Sequence, residues 1–129
     1  MNATEALDLW RGAIVESVRR DSPDLSARQM AILTTIYLVQ KPHTVRGLAE
    51  TLNIAKPAVT RAIDRLSELG LVRRKPDPDD RRSVLVQRTV KGSVFLSEFG
   101  EMIVEAASMS VGAPVLDEPV QQGPYAAVS

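Results

Sequence analysis

Residues 45–70 read VRGLAETLNIAKPAVTRAIDRLSELG and hold two helical patterns interrupted at NIA (53–55). In the second pattern Val59, Ile63, Leu66 and Leu69 recur at the spacing of one helix face. Lys56, Thr60, Arg61, Asp64 and Arg65 fall elsewhere on the same helix, so one face is apolar and another is free for a polar partner. Pro57 suits a first helical turn, where no intrahelical acceptor awaits its missing amide hydrogen. Gly70 suits the position just past the end, where a left-handed residue closes the last turn. In the first pattern Leu48, Ala49 and Leu52 share a side, and Ala49 is small enough for the second helix to cross closely. The spacing predicts a helix-turn-helix.

The stretch that follows, LVRRKPDPDDRRSVLVQRT (71–89), consists of two extended runs around a polar tip. Its prolines and aspartates exclude helix there, and the pattern predicts a β-ribbon or wing. AKPAVTRAIDRLSELGLVRR, then DPDDRR in the wing, then TVKG opening the next helix, together resemble the MarR family of winged-helix transcription regulators. The resemblance covers roughly Ser26 to Ala107 and implies a mainly α fold with a small β-wing. The expected organisation is one winged-helix domain over 1–109, with a DNA-binding lobe at 43–91 and a helical self-association lobe at 4–20 and 90–109.

A helix of this kind has about the width of the major groove. Thr60 offers a hydroxyl and a methyl group to a base edge or a thymine methyl, and Arg61 can donate two hydrogen bonds to guanine O6 and N7. The resemblance places Pro57, Thr60 and Arg61 in the groove as the base-reading set. Lys56 and Arg65 are better placed for phosphates, which fix register without reading sequence, and Arg73, Arg74 and Lys75 on the ascending strand are secondary phosphate candidates. At the wing, Asp79, Asp80, Arg81 and Arg82 match the family's signature. That match implies one arginine in the adjacent minor groove and an aspartate holding an arginine in position. Ala55 departs from the family, which often has a serine there to cap the recognition helix; the missing cap costs about 1 kcal/mol.

Leu7, Trp10, Ile14 and Val18 define an amphipathic helix from Thr4 to about Arg20, with Thr4 as its expected N-cap. Trp10 is expected to pack against another helix. Ser26 and Gln29 have capping-box spacing and open a central buried helix expected to reach Lys41, where Pro42 stops it. His43 is read as a solvated or capping loop residue, and Thr44 as the N-cap of the helix beginning at Val45. After the wing, Thr89 is expected to cap a long amphipathic helix carrying Phe95, Phe99, Met102, Ile103 and Ala106 on one side. With Leu7, Trp10 and Ile14 these form the expected dimer helices, in line with the self-association that the resemblance implies. The alternative reading is an intramolecular helical hairpin.

Residues 110–129 turn rich in proline and glycine, which prevents a continuous helix and predicts a flexible tail where the family commonly has a further helix.

The chain has 129 residues, no cysteine and a single histidine, which removes disulfides and thiolate metal sites and disfavours metal or thiol sensing. No apolar run approaches a membrane span, so a cytoplasmic protein is expected. No catalytic constellation is present, so no enzymatic activity and no cofactor or metal is expected. Net charge is zero, yet from His43 to Lys91 eleven basic residues face six acidic ones, and the rest of the chain is correspondingly acidic. Such segregation is expected if only one lobe meets phosphate.

The function implied is sequence-specific binding of double-stranded DNA by a homodimeric transcription regulator of repressor type, acting on a pseudo-palindrome. The resemblance also implies a small aromatic or anionic effector held between the two lobes, for which Trp10, Tyr37 and Arg11 are candidates. The alternative is a winged-helix protein–protein interaction module without specific DNA binding.

Overall fold

The computed structural model describes residues 1–109; the expected tail from Ser110 lies outside them. In chain order come α1 (Ala3–Arg19), α2 (Ala27–Leu38), β1 (His43–Thr44), α3 (Val45–Leu52), α4 (Lys56–Glu68), β2 (Val72–Pro76), β3 (Val84–Arg88) and α5 (Val90–Met109). The fold is mainly helical with a small antiparallel wing, as the sequence predicts. Two compact units result: Ser22–Glu98, and Met1–Asp21 together with the described residues from Phe99 onward.

In the Ser22–Glu98 unit, α2 opens with the expected capping box. Ser26 Oγ accepts from the Gln29 amide at 3.1 Å, and the Gln29 side chain accepts from the Ser26 amide at 2.9 Å. Its buried residues Ile32, Leu33, Ile36 and Tyr37 meet Leu48 and Ala49 of α3, and Val59, Ala62, Ile63 and Leu66 of α4, in one core. Phe95 and Leu96, in the first part of α5, pack against the same core. The helix stops at Leu38 rather than at Lys41, because Val39 already has an extended backbone that leads the chain toward β1.

That strand is itself a departure from the expected loop. His43 and Thr44 pair with Val86 and Leu85 of β3, so the sheet has three antiparallel strands in the order β1-β3-β2. His43 is 5% exposed, and its Nε2 lies 2.8 Å from the Val39 carbonyl. A carbonyl can only accept, so Nε2 carries the hydrogen and the ring is locked into the turn rather than solvated.

Tyr37 ties three elements together. Its hydroxyl donates to the Leu71 carbonyl at 2.7 Å and accepts from the Thr89 amide at 2.9 Å. Thr89 in turn donates its hydroxyl to the Gly70 carbonyl at 2.7 Å and accepts from the Gly92 amide at 2.9 Å, capping α5 as expected. Arg88 lies over the Tyr37 ring, 5.8 Å from its centroid, with Nε donating to the Ile36 carbonyl.

In the other unit α1 begins one residue before Thr4. Asn2 is the N-cap, accepting from the Glu5 amide at 2.8 Å, while Thr4 is buried inside the first turn. Ala13, Phe99 and Met102 are buried, and α1 comes so close to α5 that a methyl on Gly12 would sit 3.0 Å from the Ala106 Cβ. Trp10 is 51% exposed and Leu7 is 52% exposed, so neither is packed away within the described chain. Helix periodicity locates a stripe but does not say which part of it a neighbouring helix reaches. No helix among the described residues is long and apolar enough to cross a membrane.

Candidate nucleic-acid interface

The helix-turn-helix is held by local chemistry at each boundary. Thr44 Oγ1 accepts from the Gly47 amide at 3.0 Å and caps α3, as its position predicts. Asn53 ends that helix in the left-handed region at φ 53°, the only non-glycine residue with positive φ among those described. Ile54 then returns its amide to the Ala49 carbonyl at 3.1 Å, which closes the turn. At the start of α4, Ala55 supplies no side-chain cap, and Pro57 occupies the first turn. Gly70, at φ 75°, ends the helix in the left-handed conformation and releases the chain into β2.

Burial on α4 divides as the sequence spacing requires. Val59, Ala62, Ile63 and Leu66 are buried, and Lys56, Pro57, Thr60, Arg61, Asp64 and Arg65 are exposed. Thr60 and Arg61 have no hydrogen-bond or ion-pair partner among the described residues, nor does Lys56. Arg65 is engaged with Glu68 at 3.5 Å along the helix surface. Such an exposed pair contributes about 0 to 1 kcal/mol, so a phosphate can compete for Arg65.

The wing strands pair in register from Val72↔Arg88 to Pro76↔Val84. At the tip the Asp77 carboxylate accepts the Asp79 amide at 2.9 Å, and Asp80 accepts the Arg82 amide at 3.0 Å. Arg82 is thus held through its backbone, because so short a carboxylate reaches an amide two residues on. The guanidinium groups of Arg81 and Arg82 are left exposed and unpaired among the described residues. On the ribbon, Arg73 donates to the Gln87 side chain at 3.3 Å, Lys75 is exposed without a partner among the described residues, and Arg74 forms an ion pair with Asp64 of α4. That last link was not legible in the sequence: a polar residue on a helix and another on a strand carry no spacing signal that joins them.

Of the expected dimer residues, Leu7 and Trp10 are exposed, Ile14 and Ile103 half-buried, and Phe99 and Met102 buried in their own chain. Phe95 belongs to the Ser22–Glu98 core. Among the effector candidates, Arg11 pairs with Asp8 at 3.0 Å, and Tyr37 is 9% exposed with its hydroxyl committed to backbone.

Comparison with known proteins agrees with this geometry. A model of the MarR family matches residues 25–84. The HTH-type transcriptional regulator PecS of Dickeya dadantii is 35% identical over 83 residues, spanning 63% of this chain and 50% of that protein. The multiple antibiotic resistance protein MarR of Escherichia coli is 32% identical over 80 residues, spanning 62% of this chain and 55% of that one. The chain thus spans about half the length of the curated relatives it matches. A crystal structure of a mutant E. coli MarR complexed with operator DNA superposes with a TM-score of 0.62 at 26% identity. It covers 81% of this chain and 69% of that one. Helix, turn, helix, wing and following helix occur here in one order, and from α2 to the first residue of β3 the chain is similar to the MarR family.

Proposed function

We propose that the chain is a sequence-specific double-stranded DNA-binding transcription regulator of repressor type, working in the cytoplasm as a homodimer on a pseudo-palindrome. The observation that carries this reading is the bare face of α4: Thr60 and Arg61 stand exposed, and unpartnered among the described residues, on a helix whose opposite side is fixed in the core. Pro57, Thr60 and Arg61 read bases, Lys56 and Arg65 take phosphates with Arg73 and Lys75 beside them, and Arg81 or Arg82 enters the minor groove. A related structure holding operator DNA supports the choice of partner. In this reading the Ser22–Glu98 unit is the DNA-binding lobe, and α1 with the later part of α5 forms the self-association lobe through Leu7 and Trp10. A small aromatic or anionic effector belongs to the same proposal, acting by binding two states with different affinity.

Selection of bound DNA from a random pool, followed by footprinting, tests it. The expected result is two protected half-sites about one helical turn apart. A single unsymmetrical half-site would overturn the dimeric reading. The zero net charge of the chain favours a second reading, a protein–protein interaction module. Absence of salt-dependent DNA binding together with a stable protein partner would establish it instead.

A further inference from the structure

We infer that Asp64 is a positioning residue: through Arg74 it fixes the angle of the wing to α4, and so decides which base pairs beside a half-site the wing arginines meet. This rests on the DNA-reading function proposed above and adds to it a residue that determines specificity without touching a base.

The geometry begins with the sheet. Among the described residues β1 pairs only with Leu85 and Val86, and the ribbon beyond that register has two strands and no third to brace it. Arg74 stands opposite Val86, inside the braced register and one residue before its end toward the tip, where Leu85 faces Lys75. Residues 72, 74 and 76 share a face of the strand, and Val72 is buried, so Arg74 leaves the ribbon on the side that faces the helices. There it meets Asp64. Among the described residues this is the only hydrogen bond or ion pair that joins α4 to either wing strand.

Asp64 lies one helical turn beyond Thr60 and Arg61 on the exposed side of α4. A carboxylate there would repel phosphate unless neutralised, and Arg74 neutralises it. Both partners are partly exposed, at 53% for Asp64 and 36% for Arg74, so the pair adds little to global stability. Its effect is geometric. From Arg74 the ribbon runs several more residues to Arg81 and Arg82, at about 3.3 Å per residue, so a small tilt at Arg74 becomes a displacement along the groove. The tip itself is held by the Asp77 and Asp80 carboxylates on backbone amides. The ribbon's angle is therefore the freedom that the Asp64–Arg74 pair removes.

The experiment compares DNA selected from a random pool by the full chain, by Asp64→Asn, and by the exchange Asp64→Arg with Arg74→Asp. Thermal unfolding of each checks the fold. Asp64→Asn is expected to keep the preference at the base pairs read by α4 while losing about tenfold in discrimination at the flanking, wing-read positions. The exchange is expected to restore the flanking preference. Unchanged flanking preference in Asp64→Asn would overturn the inference. So would tighter binding to all DNA with a steeper salt dependence, which would mean that Arg74 had simply turned to phosphate. A wild-type chain that enriches no motif would instead overturn the DNA-reading function itself, and this inference with it.

Discussion

The Tyr37 hydroxyl oxygen occupies the space into which a side chain at Gly92 would grow, with the Leu71 carbonyl closing the same space from another side. Gly92 is therefore a packing requirement at the start of α5. Gly92→Ala should destabilise the chain by about 3 kcal/mol, the upper part of the range for overpacking, as read from urea unfolding. Tyr37→Phe removes the hydroxyl and strands the Thr89 amide and the Leu71 carbonyl, at a cost of about 1 to 3 kcal/mol. The double variant should lose less than the two added together, since the phenyl ring no longer presents the oxygen that the methyl would strike.

The left-handed backbone of Asn53 gives a second test. Asn53→Ala should cost about 1 kcal/mol, because a Cβ without a polar head disfavours that conformation. Asn53→Gly should be close to neutral. Equal losses for both would show that the turn does not depend on the backbone at this position.

Ala55 leaves the N-terminus of α4 without a side-chain acceptor while its backbone is already extended, as an N-cap requires. Ala55→Ser should therefore stabilise the chain by about 1 kcal/mol, measured as a shift in the unfolding midpoint.

Trp10 is the chain's one tryptophan and is half exposed, so its emission reports directly on whether α1 becomes covered. In a homodimer that buries it, emission should move to shorter wavelength as protein concentration rises, in step with the solution mass. Emission that stays constant while the mass doubles would place the interface elsewhere.

Arg61→Ala should cost about 1 to 3 kcal/mol on the preferred site and relax the preference there. Lys56→Ala should weaken binding to all DNA by a similar factor and flatten its salt dependence. Equal losses for both variants on specific and random DNA would refute this division of labour.

Local chemistry made most of this fold legible in the sequence. The α4 stripe, Gly70, the Ser26–Gln29 box, Thr44 and Thr89 are each decided within one helical turn, where spacing and cap identity carry the information. What escaped reading depends on partners far along the chain. His43 looked like a loop residue because β1 exists only where β3 pairs with it. Tyr37 gave its place in a buried stripe but not its bonds to Leu71 and Thr89. The exposed residues of the candidate site were likewise readable, since their positions follow from α4's own period. The ion pair of Asp64 with Arg74 was not, because it depends on how the ribbon lies against the helix.

The pairing of His43 with Val86 also bears on the order of assembly. Two residues at one edge of the helix-turn-helix must wait for a strand made after the whole of α3, α4 and β2. Closing so long a loop for a two-residue strand is entropically late, whereas α3 and α4 meet across a short turn. Substitutions between α3 and α4 should accordingly slow refolding, and those at His43 should chiefly hasten unfolding. In kinetic terms the short strand is a latch, fastened after the machinery it secures is already in place.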